Sequence, residues 1–594
     1  MPSPHTLRLH PLARHLAALG CLLATLPHTA LANPTVPNAG QLLNQQQRAG
    51  STPLAPTTES APAVDDQRNG SAPAEPATPS ALRAMIREVR FVGADHLLPP
   101  SELQAVVQPA LNREHSHAQL QQLTQQVTER LRQAGWVVAR AFLPRQDLSE
   151  GVLTIEVLDG RLQSGSERIV LKAETRMDPQ RLRAIAEHAL PAQQALRQAD
   201  LERAVLLLND QPGVRARAVI ERGDEPGSSR VAISATQAPM TQVTMGLDNF
   251  GGRSTGTERV TGTLRLLDPS GHGDTLTFST TLSEGAQTLA AAYSLPLTPQ
   301  GLQANLSATH LVYEVGGTLE PLGLEGSATT AAVGLSYPVV RSRERNLYVQ
   351  GVLEHKQLLD DALGQNIRDR QLTNMNLGLS GNASDDVLGG GVSTGGMTLT
   401  IGHVNLDGNA GNKLSDTNSA RTHGSFSKLA VNLNRFQNLG ISDDWIAFIG
   451  LSGQWSSGNL DSAEKFILGG PNGVRAYPVG EAAGDSGFLA TLELRRKLPM
   501  PWVDQAQLLL FVDLGHIKLN NEPWVGAVNS ATNSNRYSLK GWGLGLNLSK
   551  DKWAVQSAVA ATLGDNPGRS LDGQNADGRD SDVRAWLQAS RVFD

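Results

Sequence analysis

Lys465 to Gly487 reads KFILGGPNGVRAYPVGEAAGDSG, and a strand-like run ending FVDLG (Phe511 to Gly515) follows it. The first stretch sets one arginine, Arg475, in a loop rich in glycine and proline. The second sets one carboxylate, Asp513, among apolar residues. A lone charge in a strand with apolar neighbours is costly unless an opposite charge reaches it. Two readings fit: either Arg475 pairs with Asp513, or Asp513 faces water inside a barrel while Arg475 lies on a solvated loop.

The choice between them depends on the rest of the chain. With 594 residues it is too long for one ordinary core, so several domains are expected unless a large part forms one closed sheet. Charged residues make up 18% and the formal net charge is -6, which leaves no basic footprint for nucleic acid. Residues 1–32 read as a signal peptide. Arg8 and Arg14 form its basic region, Leu16 to Leu26 its apolar stretch and Ala30-Leu31-Ala32 its small-residue cleavage site. That apolar stretch, about eleven residues, is too short to span a bilayer. The one cysteine, Cys21, lies inside it, so the chain beyond Ala32 offers no thiol for a disulfide, redox chemistry or a cysteine-ligated metal.

Residues 33–50 hold a short helical pattern, NAGQLLNQQQRAG (Asn38 to Gly50), in which only Leu42 and Leu43 are large and apolar. A helix polar nearly all round has no face for a hydrophobic core and is expected in water or in a water-filled space. Residues 51–82 read as a flexible linker with prolines at 53, 56, 62, 73, 76 and 79 and little to bury. Extended, such a stretch reaches on the order of 100 Å. Two modules of similar length follow, 83–162 and 163–238, each predicted as β-α-α-β-β. In the first, IREVRF (Ile86 to Phe91) is a strand, Pro99 to Asn112 and His117 to Gly135 are helices, and WVVARAFL and GVLTIEV are strands. Small mixed domains of this order leave exposed sheet edges that can receive an extended segment of another chain.

From about Pro239 to the end, 239–594, helical periods give way to alternating runs of about ten residues. Leu276, Phe278 and Leu282 oppose Thr275, Thr277 and Thr281; Leu429, Val431 and Leu433 oppose Asn432 and Asn434. Trp542, Leu544, Leu546 and Leu548 oppose Gly541, Gly543, Gly545 and Asn547. In a membrane barrel such alternation sets lipid outside and a polar lumen inside. No apolar stretch after residue 32 is long enough for a spanning helix, so a closed barrel is the remaining way to cross lipid. These 356 residues (594 minus 238), at about 22 per strand and connection, give roughly sixteen antiparallel strands. A lumen that wide leaks unless something occupies it.

At this point the chain resembles the two-partner secretion outer-membrane transporters that export filamentous haemagglutinins and haemolysins, within the superfamily of barrels carrying periplasmic POTRA modules. The resemblance rests on FLPRQDLSEGVLTIEVLDGRL in the first module, with Arg145 where the family commonly has proline. It rests also on GLDNFGGRSTGTERVTG, LLDPSGHGDTLTFS and YSLPL at the start of the barrel, and on Val474-Arg475-Ala476-Tyr477. Ala476 replaces the family's usual glycine. The resemblance implies that this loop folds back into the lumen, where Arg475 pairs with Asp513 of a Phe511-x-Asp513-x-Gly515 strand. Partly screened in a wet lumen, that pair is expected to position the loop more than to stabilise the fold. It implies that the N-terminal helix, with Gln41, Leu42, Leu43, Gln45, Gln46 and Arg48, plugs the pore. It further implies an outer-membrane location in a Gram-negative bacterium with periplasmic N-terminal domains. The partners so implied are a large, β-helical secreted protein, outer-membrane lipid and, during biogenesis, the barrel-assembly machinery.

Chemistry finds little support. No His-Glu-x-x-His and no phosphate loop occurs, and Gly541 to Gly545 mimics a nucleotide motif only inside an alternating strand. The acidic run Asp572 to Asp582, aligned on Gly578, would begin an EF-hand at Gly573 and end it at Arg584, so it fails at both ends. His115 and His117 read as surface residues. No enzyme activity, cofactor or metal is expected. The other classes left open are an assembly factor of the same superfamily and a porin or barrel enzyme. Phe593-Asp594 departs from the terminal aromatic residue usual in such barrels.

Overall fold

A computed structural model describes residues 36–49, 64–66, 83–225, 227–442 and 444–593. The signal peptide read at 1–32, most of 51–82 and Asp594 lie outside the described residues.

The chain opens with helix α1 (Ala39–Ala49) and a short strand β1 (Val64–Asp66) inside the stretch read as a linker. The first module comprises β2 (Arg83–Ile86), β3 (Glu88–Val92), α2 (Pro100–Val107), β4 (Arg113–Ser116), α3 (His117–Gln133), β5 (Arg140–Phe142) and β6 (Val152–Leu158). The run read as one strand over Ile86 to Phe91 is broken at Arg87, because the Gly151 carbonyl accepts from both the Arg87 and the Glu88 amides. The chain thereby switches partners, β2 pairing with β4 and β3 with β6. The helix read to Asn112 stops at Val107, since Pro109 has no N–H to continue it and a single 3-10 turn follows. Helix α3 begins at a capping box in which Ser116 and Gln119 each accept from the other's amide.

The second module comprises β7 (Ile169–Glu174), α4 (Pro179–Ala189), α5 (Gln198–Asn209), β8 (Val214–Arg222) and β9 (Ser229–Gln237). Its sheet runs β1-β8-β9-β7, with β1 parallel to β8. The modules share a seam: Val138 of the first packs into the core of the second, and the Arg197 guanidinium lies 4.5 Å from the Trp136 ring centre.

The remainder is a closed, antiparallel barrel of sixteen strands, from Thr241–Asp248 to Val583–Phe593, as the alternation and the length predict. Closure is by six residue pairs, from Val243 with Phe593 to Asp248 with Gln588. Leu306, Leu335, Leu353, Trp542, Leu544 and Leu587 are among the outward residues and form an apolar belt, which is the surface a bilayer requires.

The second module is fastened to the turns at one barrel mouth. Arg341, buried where its strand ends, donates to both Asp210 oxygens at 2.9 and 2.7 Å. Arg176 and Arg181 donate to the carbonyls of Pro269 and Pro296, each at 2.6 Å. Arg341→Ala removes a bidentate pair and strands Asp210, a loss of about 1–3 kcal/mol. Spin labels at residues 174 and 343 should then give a broadened distance distribution; an unchanged width would show that the other contacts hold the module unaided.

Candidate functional site

Strands Trp445–Ser456 and Ser486–Lys497 are joined at the mouth opposite the modules by residues 457–485, and this connection folds back into the lumen. The wall makes room for it with glycine. A methyl group at Gly515 would come within 3.0 Å of Val474 and Leu468 side-chain atoms, and one at Gly541 within 2.6 Å of the Ala476 methyl. Gly543 does the same for the Phe511 ring, 2.4 Å from where its Cβ would stand. The run that alternates Gly541, Gly543 and Gly545 with Trp542 and Leu544 is thus thinned on its inner face. Ala476 is fully buried against that face, so the extra methyl of this chain is accommodated.

Arg475 reaches the wall through this gap. Its Nε and Nη2 donate to the two Asp513 oxygens at 2.8 Å each, and its own amide donates to Asp513 at 3.1 Å. Nη1 donates to Glu493 at 2.7 Å, and the guanidinium lies 3.4 Å from the Phe511 ring centre. Thr491 donates to Asp513, Arg495 donates to Glu493, and the Trp586 indole donates to the Arg475 carbonyl. The pair is not awash in lumenal water: side-chain exposure is 13% for Arg475 and 0% for Asp513. Its contribution therefore follows the rules for buried charges, where removing one partner costs far more than a surface pair is worth. Tyr477 and Val474 are buried beside it and complete an apolar jacket with Leu468, Phe511 and Leu539.

A second polar cluster lies on the other side of the loop and carries α1. Asn38 caps the helix by accepting from the Gln41 amide at 3.1 Å. Leu42 and Leu43, with Ala39, are buried in a lumenal apolar patch of Leu311, Leu358 and Phe426, so the helix does not simply lie in water as its polarity suggested. Its remaining ties are largely to the loop. Asn44 donates to the Lys465 carbonyl at 2.7 Å, Arg48 donates to the Ile467 carbonyl at 2.6 Å, and Asn472 donates to the Arg48 carbonyl at 3.0 Å. The loop is in turn pinned to the wall by charge: Glu464 meets Lys356 at 2.8 Å and Lys428 at 2.7 Å, and Asp461 meets Arg370 at 2.8 Å. Burial alone would raise the Glu464 carboxyl, but Lys428 and Lys356 outweigh it and hold it at about 2. Asp360 accepts from Arg370 and from the Ala39 amide at the helix start, each at 2.7 Å. Gln41 and Gln45 flank Gly480, where any side chain would meet their amides, and Gln46 lies 3.5 Å from Arg259.

The sequence thus brings together Val474, Arg475, Ala476 and Tyr477 with Phe511, Asp513 and Gly515, and places the helix residues against the same loop. It did not single out Glu493, Glu464, Asp461, Lys356 or Arg370. The available signal was parity: in TLELR (Thr491 to Arg495) polar residues alternate with leucine, which marks an inward face. One Gly-x-Ser-x-Gly pattern, GVSTG at Gly391 to Gly395, lies within a barrel strand, where Ser393 accepts from Arg435. It has none of the strand-to-helix geometry of a nucleophile elbow.

A sixteen-strand barrel with a lumenal arginine loop and POTRA-type modules at one mouth defines an outer-membrane secretion transporter. The chain belongs to the haemolysin secretion/activation protein family ShlB/FhaC/HecB, whose profile matches residues 227–548; residues 84–160 match the ShlB-type POTRA domain. It is 26% identical to the heme/hemopexin transporter protein HuxB of Haemophilus influenzae over 477 residues, 78% of this chain and 81% of that one. It is also 26% identical to the outer membrane transporter CdiB of Dickeya dadantii, covering 80% of this chain and 84% of that one. The solved structure of CdiB from Escherichia coli has the same fold, with a TM-score of 0.65 and 21% identity over 99% of this chain and 100% of that one. The protein therefore moves a partner exoprotein across the outer membrane, with its N-terminal modules in the periplasm.

Arg475→Ala leaves Asp513 without its cation in an enclosed space, while Glu493 keeps Arg495, a local cost of about 3–5 kcal/mol. A cysteine in place of the fully buried Val474 should then react with a membrane-impermeant maleimide in intact cells, whereas it should stay protected when Arg475 is present. Arg475→Lys, which cannot bond both carboxylates in the planar fork, should fall between. Equal protection in all three would remove the ion pair as the loop's anchor.

Proposed function

We propose that α1 and the 457–485 loop together form the closed state of the export pore, and that an unfolded partner captured by the periplasmic modules passes along the lumen once both have shifted. The observation that carries this reading is the direct bonding of α1 to the loop, through Asn44, Arg48 and Asn472, while Arg475 bonds that loop to the wall. Plug and loop are thus linked in series, so displacing one loosens the other. The walls they cover are lined with charged and polar groups, including Lys356, Arg370, Glu493 and Arg495, which suit a hydrated polypeptide better than a packed core.

The reading involves no catalytic step and no cofactor. Net movement is driven by the partner folding outside, which makes return unfavourable, and a large β-helical exoprotein supplies that drive because its folding adds one repeat upon another. The barrel-assembly machinery is the partner during biogenesis, with Phe593, paired to Val243 across the closing seam, as the terminal aromatic residue it engages.

Deleting residues 38–48 should raise single-channel conductance in planar bilayers several-fold and lengthen open times. Conductance equal to that of the intact protein would reject α1 as the plug. Comparing culture supernatants of strains with and without the gene should reveal one large missing protein.

A further inference from the structure

The outer face of the barrel changes character at the mouth away from the periplasmic modules. Four outward histidines lie near that end, each with Nδ1 close to a hydroxyl of the next strand. The pairs are His310 with Thr329 at 2.9 Å, His355 with Thr373 at 3.1 Å, His403 with Ser425 at 3.3 Å and His516 with Ser538 at 3.0 Å. Trp455 and Phe488 are exposed on the same surface, and the His516 ring stacks on Phe488 with centres 5.8 Å apart. Aromatic and amphipathic rings gather where lipid tails give way to headgroups, so these residues mark the outer-leaflet boundary.

Charge is spread unevenly along that boundary. On one side of the barrel the outward residues at this end are Glu314, Glu325 and Asp361, in cross-strand register with one another. On the far side, strands Gln505–Lys518 and Arg536–Lys550 present Lys518, Arg536 and Lys540 instead. Lys518 stands opposite Arg536, His516 opposite Ser538 and Leu514 opposite Lys540. Asp513 and Gly515 on the first strand, and Gly541 and Gly543 on the second, face inward, which turns these even-numbered residues outward. Among the described residues none of the three cations forms an ion pair. Arg536, Ser538 and Lys540 line a groove of about 510 Å³ whose other wall includes Leu563, Asp565 and Pro567, and Asp565 is the one carboxylate in it. Further along the same face come Trp542, Leu544 and Leu510, which belong to the apolar belt. A cationic groove above an apolar face suits an amphiphile with an anionic head. Arg536 and Lys540, four residues apart, are separated by about 13 Å along the strand, room for a head that bears more than one phosphate.

We propose that this groove binds the phosphorylated sugar head of a lipopolysaccharide, with Lys518, Arg536 and Lys540 on its phosphates and its acyl chains along Leu510, Trp542 and Leu544. Arginine offers phosphate a planar fork and lysine a point charge, so the two types together hold a head with several anionic oxygens. Position decides for a glycolipid over a phospholipid. The groove lies at the mouth opposite the modules, in the leaflet that a Gram-negative outer membrane builds from phosphorylated glycolipid. Glu314, Glu325 and Asp361 repel the same head, so the lipid is held on one side of the barrel. That side is the wall whose inner face carries Asp513 and receives Ala476. Lipid and lumenal loop therefore grip the same two strands from opposite faces.

The test titrates the full-length transporter, purified in a non-ionic detergent, with fluorescent lipid A, the phosphorylated disaccharide anchor of lipopolysaccharide. Lys518→Gln, Arg536→Gln and Lys540→Gln together should weaken binding at least tenfold, with folding of the variant checked by its migration as a compact barrel in unheated gels. A second arm needs no variant: lipid A stripped of its phosphates should bind the unsubstituted transporter at least tenfold less tightly. Undiminished binding by the folded triple variant, or equal binding of the stripped lipid, overturns the proposal. Phosphatidylglycerol is the third probe and should bind at least tenfold less tightly than lipid A. Equal affinity for it also overturns the proposal, because the groove would then take any anionic lipid. None of these readouts depends on export, so their failure leaves the transport reading standing.

Discussion

A guanidinium enclosed by two carboxylates fixes what fills this barrel. Asp513 and Glu493 project from adjacent strands into a space with almost no exposure; Glu493 also holds Arg495, whereas Asp513 relies on Arg475 for its countercharge. Arg475 is supplied by a loop that has entered from the far mouth, so the loop's fold is set by an electrostatic need of the wall. The wall meets that need sterically as well, through Gly515 and Gly541, whose missing side chains leave room for Leu468, Val474 and Ala476 of the loop, and through Gly543, which leaves room for the Phe511 ring. Helix α1 then rests on the loop rather than on the wall alone. Remove the guanidinium and the loop tip with its apolar jacket loses its footing, while Glu464 and Asp461 still pin the part of the loop beside the helix.

Much of this was legible in the chain because the physics is local. Outward leucines and inward glycines and asparagines alternate with period two, and the closed sheet of sixteen strands follows from that and from length. Arg475 and Asp513 stood out as unlike charges in unlike settings, a loop and an apolar strand. What escaped notice depended on long-range pairing. Glu464, Asp461, Lys356 and Arg370 meet across more than ninety residues, and no local pattern says which inward charge faces which. The enclosure of the Arg475 pair was missed for the same reason: its dryness comes from Val474, Tyr477 and Leu539, which converge only in the fold. Leu42 and Leu43 looked too few to dock a helix, yet two leucines suffice when a small apolar patch on the lumen wall awaits them. The break at Arg87 and the early end of α2 arise from a distant carbonyl, Gly151, and from Pro109; only the second is readable from sequence.

The molecule also grades its contacts. The second module is held to the barrel by several arginine hydrogen bonds and to the first module by a shared core, so these bodies are suited to keep their relative positions. The helix is held by a few side-chain bonds and two leucines, and β1 by three residue pairs. Strong joints thus lie between module and barrel, and weak ones at the helix and at β1.

The thirty-three residues between α1 and β2 have a kinetic meaning beyond reach. A stopper released into the periplasm as a separate molecule would have to be recaptured by diffusion, and the envelope would stay permeable meanwhile. Covalent attachment converts recapture into a first-order event at an effective concentration on the order of millimolar. In the proposed cycle, in which α1 leaves and re-enters the lumen, resealing therefore needs no second protein, no energy source and no regulation by abundance. On that proposal, the duration of the leak is set by the length of one stretch of chain.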